Sequence, residues 1–346
     1  MLTRTCAGPT VRQVGLLQPG RLHGDGTGEA AAQRLRAQYP EIDFVRIPYE
    51  CPSGRSVRPD SLPVHVRERL ADVDVVLCLD LPPDIEAWAP GLHWIQSVAT
   101  GTESLPVQRL REAGIRVTNA AGTAAPEIAE FVFARILEHR KRLPELATVA
   151  QGQAWTPIYG RGLEGAALGL LGFGEINRRV ARVAAAFGMS THVCRRSVGE
   201  TPDGVAEVAA LSDLPGFLGR CEIVVAALPD TSETRGLLDR KALSAMPDGA
   251  LLINVGRGSL VDEAALLDEL QSGRISVALD VVAEEPLGAA SPLWDSGARI
   301  SAHCASVPAM SIERVVDLFA ANIGRLLAGR DLINQIEDRS NETELR

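Results

Sequence analysis

The chain has 346 residues, of which 46% are hydrophobic and 23% charged, and its formal net charge is −9. At about 150 residues per domain, this length predicts two domains that each bury a core. It excludes a peptide hormone or a disulfide-stapled scaffold, and the composition excludes wholesale disorder. Because an acidic chain repels phosphate backbones, nucleic acid is not an expected partner.

The cysteines and histidines are scattered along the chain. The six cysteines form no C-x-x-C motif, and the first residues are too polar for a secretory signal, so we expect reduced thiols in the cytoplasm. No apolar run approaches the roughly 18 residues that a membrane span needs, so we expect a soluble protein with no membrane partner. The six histidines stand singly, and we expect no metal site.

Short apolar runs alternate with helical patterns throughout, which predicts an α/β fold with parallel sheets. In the first third, helices are predicted at 29–38 and 107–113. A strong helix then opens at Pro126 and is predicted to run to Pro144. The predicted strands of this part are 14–17, 44–47, 73–79, 94–98 and 115–118.

A second strand-and-helix series follows. Its first helix carries apolar residues at helical spacing and is closed by Gly188, and another is predicted from Asp262 as N-cap to Gly273 just past its end. The last amphipathic stretch is 311–327. The predicted strands are 168–171, 191–194, 223–228, 250–255, 276–281 and 299–302.

A glycine-rich loop joins a predicted strand to a helix in the segment LGLLGFGEIN, residues 168–177. This placement is what a dinucleotide pyrophosphate site requires: one glycine permits a tight turn, the next admits the pyrophosphate, and the helix N-terminus is partly positive. Asn177 stands where a third glycine is usual, and either widens the helix-to-strand approach or adds a hydrogen bond near the phosphates. A simple glycine turn is the alternative. The expected cofactor contacts here are Gly172, Phe173, Gly174, Glu175 and Ile176.

The end of the next predicted strand is basic. A carboxylate about 20 residues past the glycines would bind the ribose 2′-hydroxyl of NAD, but the chain has Arg195, Arg196 and Ser197 there. Two guanidinium groups and a hydroxyl suit a 2′-phosphate, so we predict that NADP(H) is preferred and that NAD(H) is possible. A solvated basic strand end is the alternative.

Further segments resemble the D-isomer-specific 2-hydroxyacid dehydrogenase family, particularly its glyoxylate/hydroxypyruvate reductase-like and phosphoglycerate dehydrogenase-like members. The resemblance extends from Leu92 to Asn334, in family order, through 119–122 (NAAG), 128–130 (IAE), 254–262 (NVGRGSLVD), 279–287 (LDVVAEEPL) and 301–306 (SAHCAS).

The resemblance implies two Rossmann-like or flavodoxin-like domains with parallel sheets and an active site in the cleft between them. The substrate domain would comprise residues 1–121 and 307–346, and the dinucleotide-binding domain residues 122–306. Relatives are typically homodimers, and we expect the same here.

Reduction of a 2-oxo acid needs a cation for the carboxylate and carbonyl, an acid for the developing alkoxide, and a nicotinamide. Arg257, just past a strand end, suits the first role. His303 suits the second, because histidine has an ordinary pKa of about 6.5. The resemblance gives Glu285, rather than the adjacent Glu284, as its carboxylate partner. Taken singly, the three residues also fit structural roles without chemistry: Arg257 as a turn residue, Glu285 as an acidic loop residue and His303 as a strand-end histidine.

The resemblance assigns the remaining contacts. A loop of Val98, Ala99, Thr100 and Gly101 is expected to hold the substrate carboxylate opposite Arg257. Asp280 is expected at the nicotinamide carboxamide. The other expected cofactor contacts are Leu228, Pro229, Thr234, Val255 and Gly256.

The resulting expectation is an NADP(H)-dependent oxidoreductase that interconverts a small 2-oxo acid and its D-2-hydroxy acid by hydride transfer. Two alternatives stay open. One is a dehydrogenase of another small anion, such as formate or phosphite, and the other is a dinucleotide-sensing co-regulator without turnover. The residues do not select one 2-oxo acid.

Overall fold

The computed structural model describes residues 10–18, 27–48, 63–82 and 84–336. The chain divides into two compact units: unit 1 is Met1–Thr123 with Pro308–Arg346, and unit 2 is Ala124–Val307. No helix in the described residues is long and apolar enough to cross a membrane.

The elements up to Thr118 are β1 (Gln13–Gln18), α1 (Thr27–Gln38), β2 (Asp43–Pro48), α2 (Val64–Leu70), β3 (Val75–Cys78), α3 (Ile85–Trp88), β4 (Trp94–Ser97), α4 (Val107–Glu112) and β5 (Arg116–Thr118). Those that follow are α5 (Ala125–Arg140), α6 (Leu143–Gln151), β6 (Ala167–Leu171), α7 (Glu175–Ala186), β7 (Ser190–Arg195), β8 (Glu207–Ala210), α8 (Leu214–Leu218), β9 (Ile223–Ala226), α9 (Arg240–Ala245), β10 (Leu251–Asn254), α10 (Glu263–Gln271), β11 (Ser276–Leu279), β12 (Arg299–Ile300) and α11 (Pro308–Leu327).

Unit 1 is built on a five-stranded parallel sheet in the order β2-β1-β3-β4-β5. Although α11 ends the chain's described helices, it packs on this sheet: the ring centroids of Trp94 and Phe319 are 5.1 Å apart and both side chains are fully buried. The C-terminal helix therefore completes the core of the N-terminal sheet.

Unit 2 is built on a seven-stranded parallel sheet in the order β12-β11-β10-β9-β6-β7-β8. Its central strands β9 and β10 are buried along their whole length, as expected for a sheet covered on both faces. The strand order reverses at β6, which lies between β9 and β7. Ligands of such sheets bind beyond the carboxyl ends of the strands at this reversal, which points to the loops after β6 and β9.

The α/β class and the parallel sheets are confirmed, and every predicted strand corresponds to a strand of the structure. The strand β8 was not predicted. Only Ala209 is buried in it, as expected for an edge strand, and its apolar run of Val208, Ala209 and Ala210 is short. The caps of two predicted helices are confirmed: the Asp262 side chain accepts the N–H groups of Ala264 and Ala265, and Gly188 and Gly273 have φ of 68° and 69°.

The helix predicted from Pro126 to Pro144 is wrong at its C-terminal end. It ends at Arg140, and Arg142 is left-handed with φ of 54°. Proline lacks an N–H and is tolerated only in the first turn of a helix, so Pro144 lies in the first turn of the new helix α6.

Candidate active site

The glycine loop between β6 and α7 fits a pyrophosphate group. Gly172 has φ of 82°, and a Cβ there would lie 2.7 Å from Leu228 Cδ2, so no other residue suits this turn. Gly174 is the N-cap of α7, and a Cβ there would meet no atom of the described residues within 4 Å. The space that a side chain would fill is therefore left open beside the first-turn N–H groups of the helix. Phe173, Glu175 and Ile176 lie in the same turn.

Asn177 occupies the position of the missing third glycine and is fully buried. Its Nδ2 donates to the carbonyls of Leu171 and Gly172 at 2.9 and 2.8 Å. The side chain therefore forms hydrogen bonds within the glycine loop itself.

The basic end of β7 contains two arginines in different environments. The Arg195 guanidinium donates to the carbonyls of Val198 and Glu200, its Nη2 lying 2.6 and 2.7 Å from the two oxygens, and so it closes the turn that follows the strand. Arg196 is 55% exposed, with Nη1 3.7 Å from Glu233 Oε2. Ser197 is exposed. Arg196 and Ser197 thus face solvent, whereas Arg195 holds the backbone.

The loop after β9 is fixed by Thr234, which is buried. Its hydroxyl donates to the Pro229 carbonyl at 2.6 Å and accepts the Thr231 N–H at 2.9 Å. The Thr234 hydroxyl therefore shapes this turn. Leu228 begins the loop and packs against Gly172.

Arg257 follows β10 in a turn organised by Asn254, which is fully buried. Asn254 Nδ2 donates to the Arg257 carbonyl at 2.9 Å, and its Oδ1 accepts the Gly256 N–H at 3.1 Å. Val255 continues the strand through its N–H, which donates to the Ala226 carbonyl. The Asn254 amide thus fixes the backbone on which the predicted substrate-binding cation stands.

Asp230 places a negative charge near Arg257, a feature that sequence reasoning missed. Its carboxylate accepts the Ser259 hydroxyl at 2.9 Å and two N–H groups of Arg235 at 2.7 and 3.0 Å. The hydrogen bonds from Arg235 and Ser259, with the charges of Arg235 and Arg257, hold the pKa of Asp230 below its ordinary value.

The turn that carries Arg257 packs directly on the loop that carries Glu285. A Cβ at Gly258 would overlap the carbonyl group of Val282. Only glycine permits this approach, so the two loops are held in mutual contact within unit 2.

Glu285 and His303 form the central pair of the site. Glu285 Oε2 accepts from His303 Nδ1 at 2.8 Å, and Glu285 Oε1 accepts the Val282 N–H at 3.2 Å. Because a carboxylate only accepts, Nδ1 carries the hydrogen in this pair. The side chains are 54% and 37% exposed for His303 and Glu285, so the ring is accessible to a small molecule.

The backbone of His303 is held in an uncommon conformation. Its φ is 52°, a left-handed value that few residues other than glycine adopt. The N–H of His303 donates to the Asp280 carbonyl at 2.8 Å. The buried Asp280 carboxylate accepts from the Ser301 hydroxyl and from the N–H groups of Cys304 and Ala305 at 2.8 to 3.1 Å. Such conformations cluster at functional sites.

The predicted substrate loop follows β4 in unit 1. The Val98 N–H donates to the Cys78 carbonyl at 2.8 Å, the Ala99 N–H donates to Ser97 Oγ at 3.1 Å, and Thr100 and Gly101 complete the turn. Its substrate contact stays a prediction. The described residues contain no cluster of His, Cys, Asp and Glu that could hold a metal ion.

Comparisons with known proteins agree with this geometry. Residues 133–305 match the sequence profile of the D-isomer specific 2-hydroxyacid dehydrogenase, NAD binding domain. A glyoxylate reductase of Aeropyrum pernix is 34% identical over 286 residues, which cover 78% of this chain and 84% of the relative.

Two solved structures share the fold over almost the whole chain. A D-isomer specific 2-hydroxyacid dehydrogenase of Xanthobacter autotrophicus, in complex with NADPH and MES, is 29% identical with a TM-score of 0.78 and covers 96% of this chain and 99% of its own. An NADPH-dependent glyoxylate/hydroxypyruvate reductase of Sinorhizobium meliloti, in complex with NADP and malonate, is 25% identical with a TM-score of 0.70 and covers 94% and 97%. The chain belongs to the D-isomer-specific 2-hydroxyacid dehydrogenase family of NAD(P)-dependent oxidoreductases.

Proposed function

We propose that this protein is an NADP(H)-dependent enzyme that interconverts a small 2-oxo acid and its D-2-hydroxy acid. The observation that carries the proposal is the His303–Glu285 hydrogen bond of 2.8 Å, in the unit that also contains Arg257 and the glycine loop. A nicotinamide dinucleotide, when bound, exchanges a hydride with C2 of the substrate.

Different side chains perform the remaining steps of the reaction. The Arg257 guanidinium binds the substrate carboxylate and polarises the adjacent carbonyl. In the direction of reduction, protonated His303 donates the proton from Nε2 to the carbonyl oxygen, because Nδ1 is engaged by Glu285. The Glu285 carboxylate orients the ring and stabilises its positive charge before that transfer. The oxygen at C2 thereby becomes the hydroxyl of the product.

The preference for NADP(H) is supported by the arrangement after β7. Arg196 and Ser197 are exposed and Arg195 holds their turn. A guanidinium and a hydroxyl favour a 2′-phosphate over a 2′-hydroxyl. Both solved relatives described above are complexes with NADPH or NADP.

The substrate class is supported by the names of the relatives, which act on glyoxylate or hydroxypyruvate. Both are small 2-oxo acids with one carboxylate, which one guanidinium group, that of Arg257, can bind. We propose that these two compounds are the first substrates to test.

The test follows absorbance at 340 nm with NADPH or NADH against glyoxylate, hydroxypyruvate and larger 2-oxo acids. We expect faster oxidation of NADPH than of NADH. The change of His303 to Ala should reduce kcat by about 100-fold or more. His192→Ala is the matched control, since His192 also pairs with a carboxylate, Glu207, at 3.4 Å, outside the site.

The possible results distinguish the proposed function from its two alternatives. NADPH binding without turnover of any acid would overturn the proposal and favour a co-regulator. In a separate assay with NADP+ or NAD+ as the oxidant, a rise of absorbance at 340 nm with formate or phosphite, and with no 2-hydroxy acid, would favour the small-anion dehydrogenase. Equal loss in both histidine variants would remove His303 from the acid role.

We also propose that the protein forms the homodimer expected from the family. Helix α6 has no buried residue, and Trp155 and Tyr159 beyond it are large exposed hydrophobic side chains that a second copy would cover. Light scattering should give twice the chain mass of 36.9 kDa, and a monomer at micromolar concentration would overturn this proposal.

A further inference from the structure

Asn177 differs from the other residues of the glycine loop because it is a buried amide at a position suited to glycine. The third glycine of such motifs permits close packing of the helix on the strand. The Asn177 side chain is fully buried in that space, and Nδ2 donates to two successive carbonyls, those of Leu171 and Gly172.

These two hydrogen bonds constrain two successive peptide groups, of which the first is also held by the Ala227 N–H, which donates to the Leu171 carbonyl at 3.3 Å. In a trans peptide, the carbonyl oxygen of one residue and the N–H of the next point to opposite sides. The carbonyl of Leu171 points to Asn177, and the N–H of Gly172 accordingly points the other way and donates to the Cys194 carbonyl at 2.8 Å. By the same rule, the carbonyl of Gly172 points to Asn177, so the Phe173 N–H points away from it.

The other end of the Asn177 amide is unsatisfied. Oδ1 is buried and has no hydrogen-bond partner in the described part of the chain. A buried acceptor without a partner opposes folding, so core packing alone does not account for an asparagine here. The two bonds from Nδ2 are the contribution that this residue makes.

We propose that Asn177 is a positioning residue that fixes the Gly172–Phe173 peptide and thereby aims the Phe173 N–H at the dinucleotide pyrophosphate. This inference rests on the proposed function, since it assumes that the loop binds a dinucleotide. The open space at Gly174, where a Cβ would have no neighbour within 4 Å among the residues that the structure describes, is the space that the pyrophosphate would take.

The test compares two probes by calorimetry on the full chain without substrate. NADPH contains the pyrophosphate, whereas adenosine 2′-phosphate reaches only the adenosine part of the site. In Asn177→Ala we expect the Kd for NADPH to rise about tenfold, the equivalent of one hydrogen bond to a charged group, while the Kd for adenosine 2′-phosphate changes less than about twofold. Asn177→Asp should weaken NADPH binding further, because a carboxylate oxygen would face two carbonyl oxygens.

Controls separate positioning from stability. Asn177→Gly restores the usual residue of the motif and keeps the assay available should the alanine variant not fold; it also lacks the amide and should match the tenfold loss. Asn322→Ala removes another fully buried asparagine, whose Nδ2 donates to Gln96 Oε1 and the Ile333 carbonyl in unit 1. It should lower Tm and leave both Kd values unchanged.

The outcomes are distinct. If the wild-type protein does not bind NADPH, the proposed function fails. If it binds NADPH and the Asn177 variants bind it equally well, or lose both probes in equal measure, the positioning role is overturned.

Discussion

The carbonyl of Asp280 accepts the N–H of His303 at 2.8 Å, while the Asp280 carboxylate accepts the N–H groups of Cys304 and Ala305. One residue at the end of β11 therefore holds three successive N–H groups. Because His303 has φ of 52°, its conformation costs on the order of 1–3 kcal/mol, and this set of hydrogen bonds offsets that cost. The direction of the imidazole ring thus depends on Asp280.

Replacing Asp280 with Asn should therefore impair the reaction without removing any proposed acid or base. An amide NH2 in place of Oδ2 would face the Ala305 N–H, and the charge that strengthens the bonds to Oδ1 would be lost. We therefore expect kcat to fall about tenfold, as for the loss of a hydrogen bond to a charged group, together with a lower Tm. Asp248→Asn, at a side chain that is 88% exposed, is the control. A kcat within twofold of wild type for Asp280→Asn would show that His303 keeps its conformation unaided.

Glu285 and Glu284 offer a comparison of two adjacent carboxylates. Only Glu285 contacts His303, and Glu284 is exposed. In Glu285→Gln, Oε1 can still accept from Val282 but the charge beside the ring is lost, so we expect kcat to fall about 100-fold, within the range of acid–base catalysis. Glu284→Gln should stay within about twofold of wild type. The pH profile of kcat/KM checks the assignment, and a similar loss in both variants would contradict it.

The sequence predicted the parts of the site that depend on local pattern. Gly172 and Gly174 stand between an apolar run and a helical pattern, and the alternation of such runs predicted the parallel sheets. The order of the segments that resemble the family indicated Arg257 and Glu285 as site residues.

Contacts through space were less accessible to sequence reasoning. Asp230 is an ordinary turn residue by pattern, and its hydrogen bond with Ser259 forms only where loops from separate strands converge. Asn254 bonds within its own turn, but the pattern does not show which way its side chain points. The Arg195 guanidinium likewise bonds carbonyls of its own turn, a side-chain conformation that the sequence pattern does not indicate. Helix α6 was not predicted, because the helix from Pro126 was expected to end at Pro144, and the left-handed Arg142 before α6 has no sequence signal.

Gly258 provides a test of the contact between the two site loops. A Cβ there would overlap the Val282 carbonyl, so Gly258→Ala must displace the backbone that leads to Glu285. We expect Tm to fall by several degrees, about 1–3 kcal/mol for overpacking, and kcat to fall with it. Gly288→Ala, where a Cβ would meet nothing within 4 Å in the described part of the chain, should leave both Tm and kcat unchanged. If Gly258→Ala keeps the wild-type kcat, the contact between the two loops does not affect catalysis.

Cysteine reactivity should follow burial. Burial raises the pKa of Cys194 and Cys221 to about 12 and also raises that of Cys78, whereas Cys304 is exposed. Since the thiolate is the nucleophile, iodoacetamide at pH 8 should alkylate Cys304 and leave the three buried thiols unmodified until guanidinium is added. Peptide mass spectrometry reads each site separately. Modification of Cys194 or Cys221 in the native protein at the rate of Cys304 would show that unit 2 opens readily.

Arg195 and Arg196 should affect dinucleotide binding in different ways. Arg196 is exposed, so Arg196→Ala should raise the Kd for NADPH by about tenfold or more, the value of a charge-assisted hydrogen bond to phosphate, with little change for NADH. Arg195 closes the turn through Val198 and Glu200, so Arg195→Ala should weaken both dinucleotides alike.

A substitution at Glu233 should change the Kd for NADPH in the opposite direction. Its carboxylate lies 3.7 Å from Arg196 Nη1 with both side chains more than half exposed, so it competes weakly with a 2′-phosphate for the guanidinium. Glu233→Gln should lower the Kd for NADPH by about two- to threefold, the size of an exposed ion pair, and the gain should shrink as salt is added. Fluorescence titration with both dinucleotides measures these changes. If Arg195→Ala weakens the binding of NADPH but not of NADH, and Arg196→Ala changes neither, the two roles are reversed. That result would mean that Arg195 leaves its turn to reach the phosphate.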